Sequence, residues 1–418
     1  MPRQRALGAL RHRNYRLFFA GQVISTVGTW MSSIAQSWLV LQLTHNAFLL
    51  GLVLAAQFTP MLLAAPLGGV VADRFRKRRV LLATQSLFIL PALVLFLLTY
   101  AQVAQFWMVL LAAVGYGCIN AFDVPARQSF VIEMVGRDDL MNAIALNSSV
   151  WNAAAIAGPS LAGLLIAAVG LPLCFLLNGA SYLAAVCALL LMRNLPRLVG
   201  DRAPQPALKS IREGAAYAAR DPLVGMMLIA VAAVSVFAMN RLTLLPLFAD
   251  SVLGVGPAGF GFLTAFLGAG AVAGALSIAT LGRRATGRLQ FWVGIAWSAA
   301  LLAFSISRVF GLSAVLLLIS GFMQMWFLAT ANTRIQKAAP DRLRGRVMSL
   351  YAQALMGLSP LGSLQSGTLA AVFGPPVAMA VGAIAAGMIL LGIRLARPEV
   401  FAAEVTHPAS GGPTRIAG

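Results

Sequence analysis

The lysine and arginine residues of this chain lie almost entirely in alternate connections between long apolar segments. Of 31 such residues, 29 fall in one set of connections; the facing set holds Arg308, and Arg241 lies inside an apolar segment. Membrane proteins carry this excess of positive charge in their cytoplasmic loops. The pattern therefore predicts a multi-pass protein of the cell inner membrane with both termini in the cytoplasm.

Composition supports this class of protein and argues against a soluble nucleic-acid binder. Hydrophobic residues form 60% of the 418 residues and charged residues only 10%, whereas soluble domains contain about 25% charged residues. Nucleic-acid binders concentrate positive charge on one face of a domain, but here the net charge of +19 is divided among loops. We therefore expect the chain to contact the lipid bilayer and no nucleic acid.

Apolar runs of about 20 residues, the length that a helix needs to cross a membrane, recur along the sequence. Open sheet edges cannot be satisfied in lipid, so these runs are predicted to be helices. The least distinct boundary between two predicted spans is 307–311. We keep this break because a single fused span would place the later basic loops on the outer side of the membrane. The twelve predicted spans are 17–42, 47–72, 80–100, 105–127, 140–167, 172–192, 222–247, 256–281, 289–307, 309–333, 346–372 and 375–395.

The predicted fold class is an all-α membrane protein with two pseudo-symmetric bundles of six helices. The bundles cover 1–192 and 222–396, a cytoplasmic linker covers 193–221, and a cytoplasmic tail covers 397–418. The linker is either an amphipathic helix at the membrane surface or a flexible tether.

Weak internal similarity connects the two bundles. A shift of 204 residues superposes Gly163 on Gly367 and Gly170 on Gly374, all at the fifth span of their bundle. Duplicated bundles around a central site are typical of secondary transporters.

The connection after the second span contains Gly69-Val70-Val71-Ala72-Asp73-Arg74-Phe75-Arg76-Lys77-Arg78. It resembles the cytoplasmic signature of the major facilitator superfamily, Gly-x-x-x-Asp-Arg-x-Gly-Arg-Lys, with Arg76 in place of the second glycine. The resemblance implies that Asp73 helps to hold the cytoplasmic side closed, together with Glu133 near the end of span four. Alternatively, the basic residues of the loop only anchor the topology. The residues assigned to gating are Gly69, Asp73, Arg74, Lys77, Arg78, Glu133, Gly158 and Pro159.

Two further segments resemble particular branches of this superfamily. Gly158-Pro159-Ser160-Leu161-Ala162-Gly163 is similar to the Gly-Pro-x-x-Gly-Gly element of exporters and antiporters, and predicts a kink or tight packing at a moving interface. The region from Asn120 to Asn147, with Gly21-Gln22 and Asp221-Pro222, resembles the bacterial branch that contains the enterobactin exporter and the transmembrane secretion effectors. This resemblance covers nearly the whole chain but does not specify a substrate.

Polar residues at helical spacing form stripes in spans one and four, and such stripes line a cavity or an inter-helix seam rather than lipid. Asp123 and Arg127 are one turn apart and can pair. Two hypotheses stay open: a structural pair, or a pair in which Asp123 is the proton-responsive carboxylate. The residues assigned to substrate binding are Gln22, Thr29, Gln36, Asn120 and Arg241.

Arg241 suits an anionic or phenolate-bearing substrate if it faces a central cavity. The alternatives are that it reaches the outer surface or pairs with Asp250. The histidine and cysteine spacing does not indicate a metal site, and we expect no cofactor. Neither a nucleotide cradle nor a nucleophile elbow is recognisable in the sequence, so we do not expect an enzyme.

The sequence therefore predicts a secondary transporter, acting as a monomer, that is driven by an ion gradient or by its substrate's own gradient. The leading hypothesis is a proton-coupled exporter of a small amphipathic molecule such as a drug or siderophore. An importer or lipid-type flippase on the same fold is the alternative, followed by a membrane sensor that does not transport.

Overall fold

The computed structural model describes residues 8–136, 138–193, 207–281 and 286–402 of the chain. The first part of the predicted linker and nearly all of the predicted tail lie outside these residues. Every regular element in the described part is a helix. After a 3₁₀ turn at Gly8–Arg11, the helices are α1 (Arg13–Thr44), α2 (Ala47–Arg74), α3 (Lys77–Tyr100), α4 (Phe106–Val135), α5 (Leu140–Val169), α6 (Leu171–Leu190), α7 (Ala207–Arg220), α8 (Pro222–Phe237), α9 (Arg241–Leu247), α10 (Gly256–Leu281), α11 (Gly287–Ile306), α12 (Phe310–Ala338), α13 (Asp341–Ala352), α14 (Ser359–Phe373), α15 (Pro375–Ala396) and α16 (Pro398–Ala402).

Ten helical stretches of the described chain are long and apolar enough to cross a membrane. The two remaining predicted spans correspond to α1 and to α13 with α14, which are helical but fall outside this set of ten. They pack among the others, α1 against α5 and α6, and α14 against α2 and α15. The break predicted at 307–311 is confirmed, because α11 ends at Ile306 and α12 begins at Phe310.

Local chemistry explains several helix boundaries. Asn46 caps α2 by accepting from the main-chain N–H of Phe48, and Asp221 caps α8 by accepting from that of Val224. Gly170 and Gly374 end α5 and α14 with φ of 91° and 85°, a backbone conformation that favours glycine. The superposition of these two glycines in the sequence therefore marks the same tight turn in both halves.

Two predicted spans are interrupted. Span seven consists of α8, a break at 238–240, α9, and a π-helical turn at Phe248–Val252. Span eleven consists of α13, a π-helical turn at Gln353–Gly357, and α14. Uniform hydropathy conceals both interruptions, since a local change of backbone does not require a polar residue.

The helices form an N half, α1 to α6, and a C half, α8 to α15. We call the ends predicted to face the cytoplasm inner and the opposite ends outer. The halves meet mainly where α5 packs on α10 and where α2 packs on α14.

The contacts between the halves lie towards the outer ends. A Cβ atom added at Gly51 of α2 would lie 2.3 Å from the carbonyl oxygen of Ser363, and one added at Gly261 of α10 would lie 2.5 Å from that of Pro159. Towards the inner ends, α5 exposes Met141, which is 69% accessible. Among the described residues no hydrogen bond or ion pair joins the two halves. The structure is therefore closed at its outer side and open at its inner side.

The end of the described chain folds back beneath the C half. Phe401 of α16 is fully buried and its ring packs 5.3 Å from that of Phe291. Arg334 of α12 donates to the main-chain carbonyl of Val400 and, at 2.8 Å, to the side-chain oxygen of Gln290. The short helix α16 thus completes the inner end of the C half.

Candidate functional site

A buried polar cluster joins three helices of the N half around Asp123. This side chain lies on α4 and is only 1% exposed. Its Oδ1 accepts from Thr84 Oγ1 at 2.7 Å and from Gln85 Nε2 at 2.8 Å, both on α3. Its Oδ2 accepts from Arg127 Nε at 2.9 Å. The carboxylate is therefore fully hydrogen-bonded, as a buried charge in a membrane requires.

Arg127 extends the cluster to α1. Its guanidinium also donates to the side-chain oxygen of Gln22, whose amide nitrogen donates to Thr26 Oγ1 at 2.8 Å. One quarter of the Arg127 side chain is exposed, compared with 1% of Asp123. The contact of Asp123 with Arg127 that the spacing predicts is present, and its cationic member is the more exposed of the two.

This arrangement can act as a charge switch. The carboxylate and the guanidinium neutralise each other while both are ionised. A proton on Asp123 would remove that balance, and an uncompensated guanidinium inside a membrane protein is costly. Arg127 would then favour a more hydrated position or an anionic ligand.

Thr29 and Asn120, both assigned to substrate binding, lie near an aromatic group in the same half. Thr29 Oγ1 is 3.1 Å from the hydroxyl of Tyr182 on α6, and Asn120 donates to the carbonyl oxygen of Tyr116 at 3.3 Å. The ring of Phe88 packs against both tyrosines, with centroid distances of 5.1 and 4.9 Å. In this conformation both polar side chains are half-buried and hydrogen-bonded within the N half.

Of the two remaining substrate-binding candidates, the structure describes the side chain of Gln36 but not that of Arg241. Gln36 lies on the outer part of α1, and its buried amide nitrogen has no hydrogen-bond partner among the described residues. Arg241 begins α9 directly after the break in span seven, but its side chain lies outside the described part of the chain. Among the described residues, no hydrogen bond joins Gln36 to Asn120.

The gating candidates separate into paired and exposed residues. Lys77 Nζ contacts Glu133 Oε1 at 2.6 Å, so Glu133 is paired within its own half. Arg78 donates to the carbonyl oxygens of Leu189 and Leu190 at the end of α6. Gly69, Asp73 and Arg74 line the inner end of α2. Of these, Asp73 and Arg74 are exposed.

Gly158 and Pro159 lie at two close helix contacts. A Cβ atom at Gly158 would lie 2.5 Å from Cβ of Trp30 on α1, and the carbonyl oxygen of Pro159 faces Gly261 of α10. The helix continues through the proline. The structure therefore contains tight packing at an interface between the halves.

Sequence reasoning missed Thr84 and Gln85 as partners of Asp123. Their sequence spacing from Asp123 does not indicate this contact, because the contact depends on how α3 and α4 are rotated against each other. The described residues also contain no group of three or more histidine, cysteine, aspartate or glutamate side chains that could hold a metal ion.

Comparison with known proteins identifies the family. The profile of the transmembrane secretion effectors matches residues 4–410. The staphyloferrin A transporter of Staphylococcus aureus is 26% identical over 86% of this chain and 90% of its own length. The enterobactin exporter EntS of Shigella flexneri is 26% identical over 92% of this chain and 91% of its own length.

Solved structures show the same fold at low sequence identity. A point mutant of the nucleoside transporter NupG superposes with a TM-score of 0.75 at 12% identity, over 92% of this chain and 99% of its own. A bacterial homologue of the lysosomal transporter Spinster, inward-facing and unoccupied, gives 0.69 at 15% identity, over 93% and 96%. The family and the relatives are transporters and not enzymes, in agreement with the sequence-based expectation. This chain is a multi-pass membrane transporter that belongs to the transmembrane secretion effector family of the major facilitator superfamily.

Proposed function

We propose that the chain is a proton-coupled exporter of a small amphipathic molecule of the siderophore class, working by alternating access. The observation that carries this proposal is the buried Asp123–Arg127 pair, in which a titratable carboxylate balances a cation that is itself partly accessible. Siderophore transport by two relatives, one of them named an exporter, supports the substrate class and the direction.

In this mechanism a proton and the substrate use the N half at different times. Protonation of Asp123 releases Arg127 towards the inner opening, where it attracts an anionic or phenolate-bearing molecule. Loss of the proton restores the pair with Asp123 and displaces that ligand. Gln22 holds the guanidinium in its paired position, and Thr29, Gln36, Asn120 and Arg241 are proposed to contact substrate in other conformations.

The two six-helix bundles are proposed to move as units, with both chain ends in the cytoplasm and the transporter acting as a monomer. The α5–α10 and α2–α14 seams would open at the outer side as the inner side closes. Gly69, Asp73, Arg74, Lys77 and Arg78 would then belong to the inner gate. Glu133 would support that gate through Lys77, and Gly158 with Pro159 would support the outer closure.

The test compares small molecules in cells and medium for a strain lacking the protein, one expressing it, and one expressing Asp123→Asn. We expect a siderophore to be depleted inside and enriched outside only with the intact protein. In proteoliposomes, Asp123→Asn should abolish transport driven by a pH gradient while the protein still folds. If Asp123→Asn leaves proton-coupled transport unchanged, the proton role of Asp123 is refuted. If the siderophore instead accumulates inside cells that express the intact protein, the chain is an importer.

A further inference from the structure

We propose that Trp151 of α5, supported by Trp30 of α1, is a substrate-binding residue that packs against an aromatic ring of the transported molecule. The inference rests on the proposed transport of a small amphipathic molecule and narrows its class to molecules that carry such a ring. It does not depend on proton coupling or on the direction of transport.

The two tryptophans form a pair in the seam between α1 and α5. Their ring centroids lie 5.5 Å apart, with an angle of 63° between the ring planes. Trp30 is only 7% exposed, whereas Trp151 is 52% exposed. Gly158 leaves room for Trp30, because a Cβ atom at Gly158 would lie 2.5 Å from Cβ of Trp30. The buried indole is therefore a firmly packed support for the exposed one.

The exposed indole faces the opening between the halves and not the lipid. At about 100° per residue, Trp151 lies about 20° around the helix from Gly158, which contacts α1, and about 120° from Gly163, which contacts α10. Its direction falls between those of α1 and α10. Leu164, which is 50% exposed at the closed outer side, lies about 140° away from Trp151. The lipid-facing side of α5 is therefore the side opposite to Trp151.

Depth also distinguishes Trp151 from tryptophans that anchor helices at a membrane surface. It lies eleven residues from the inner start of α5 at Leu140, a rise of about 16 Å. Anchoring aromatic residues lie at the two membrane–water interfaces. Trp107, the second residue of α4 at its outer end, has such a position. Interfacial anchoring therefore does not account for an exposed indole well inside a helix of 30 residues.

Closure of the inner side would bring α10 onto a different face of α5. The same antiparallel seven-residue step separates Ile156 from Gly163 on α5 and Gly268 from Gly261 on α10, where the two helices already touch. One further step inward places Ser149 opposite Ala275, and small residues of this kind allow helices to approach closely. Trp151 lies about 160° from Ser149 around α5. Trp151 would therefore stay beside the central space while the two helices close.

An aromatic ring of the substrate is the group that best complements this indole. Water in contact with the exposed indole area carries a hydrophobic cost that a bound ring would remove. Aromatic pairs add about two- to tenfold to a binding constant beyond the burial of area, because the negative face of one ring attracts the positive edge of the other. Ser148 Oγ and Asn152 Nδ2 donate to carbonyl oxygens of their own helix. Their side-chain oxygens can therefore accept from polar groups on the same ring.

The experiment measures binding of two ring acids to the purified protein in detergent, by isothermal titration calorimetry and without a pH gradient. Salicylate and its ring-saturated analogue, hydroxycyclohexanecarboxylate, carry the same charged and polar groups, but only salicylate is aromatic. We expect the intact protein to bind salicylate about two- to tenfold more tightly than the analogue. Trp151→Leu should abolish this preference, and Trp151→Phe should retain most of it.

Trp107→Leu is the matched control, because Trp107 is 53% exposed but lies at the outer end of α4 and should leave the preference unchanged. Thermal unfolding of each variant checks that it is folded. Intact protein that does not prefer salicylate, or a preference that survives Trp151→Leu, would overturn the proposal. Since binding is measured without a gradient, failure of siderophore export or of proton coupling would leave this result intact, and the reverse also holds.

Discussion

At the outer ends the two halves approach through glycines and main-chain carbonyls, whereas at the inner ends charged side chains pair within each half or with the linker. Gly51 and Gly261 allow backbones to touch, and such contacts are nearly insensitive to charge. Lys77–Glu133 and Arg346–Glu213 are ion pairs, which depend on pairing, protonation and salt. From this difference we expect closure by shape at the outer side and sensitivity to charge at the inner side.

The largest effect is expected from Gly51→Val. Its Cβ would lie 2.3 Å from the carbonyl oxygen of Ser363, and a backbone atom cannot turn aside as a side chain can. The outer side should then fail to close, and transport in membrane vesicles should fall at least about tenfold, the equivalent of about 1.4 kcal/mol. Gly115→Val is the control, because nothing lies within 4 Å of a Cβ there. Equal transport by the two variants would contradict closure by shape.

A smaller effect is expected from Lys77→Met, which leaves Glu133 without its cation. The two side chains are only 15% and 12% exposed, so an unpaired carboxylate should cost about 1–3 kcal/mol. The thermal unfolding temperature in detergent should fall accordingly. The double variant Lys77→Met with Glu133→Gln should recover most of the loss. No recovery would mean that Lys77 stabilises the fold by packing and not by charge.

The smallest effect is expected from salt. Raising ionic strength from about 0.1 M to about 1 M shortens the screening length from about 10 Å to about 3 Å and weakens exposed pairs. The ratio of short to long distances between spin labels at Val70→Cys on α2 and Ser349→Cys on α13, measured by double electron–electron resonance, should change by less than about threefold. In an Arg346→Gln background it should not change. Salt sensitivity that survives this substitution would assign the effect to other charges.

Sequence alone predicts those contacts that one helix determines by itself. The pairing of Asp123 with Arg127 follows from a spacing of four residues. The internal repeat superposes Gly170 on Gly374, and the structure adds that both end a helix in the same turn. The charge pattern also separates α11 from α12, although their connection is only a few residues long.

Contacts between helices could not be predicted in the same way. The bond of Arg127 to Gln22 and those of Asp123 to Thr84 and Gln85 depend on the rotation and depth of each helix, which hydropathy does not determine. The pairing of Glu213 with Arg346 joins residues separated by much of the C half. Predicting such pairs requires a three-dimensional structure or residue covariation, because no local sequence pattern indicates them.

The burial of Phe401 against Phe291 has a consequence for biosynthesis. The inner end of α11 is covered by residues that are translated about a hundred positions later. The C half therefore reaches its final packing only after α16 has left the ribosome. A chain terminated before Pro398 would expose the Phe291 ring and leave the guanidinium of Arg334 without the Val400 carbonyl. Premature termination products would thus display an unfinished surface that proteolytic quality control in the membrane can recognise.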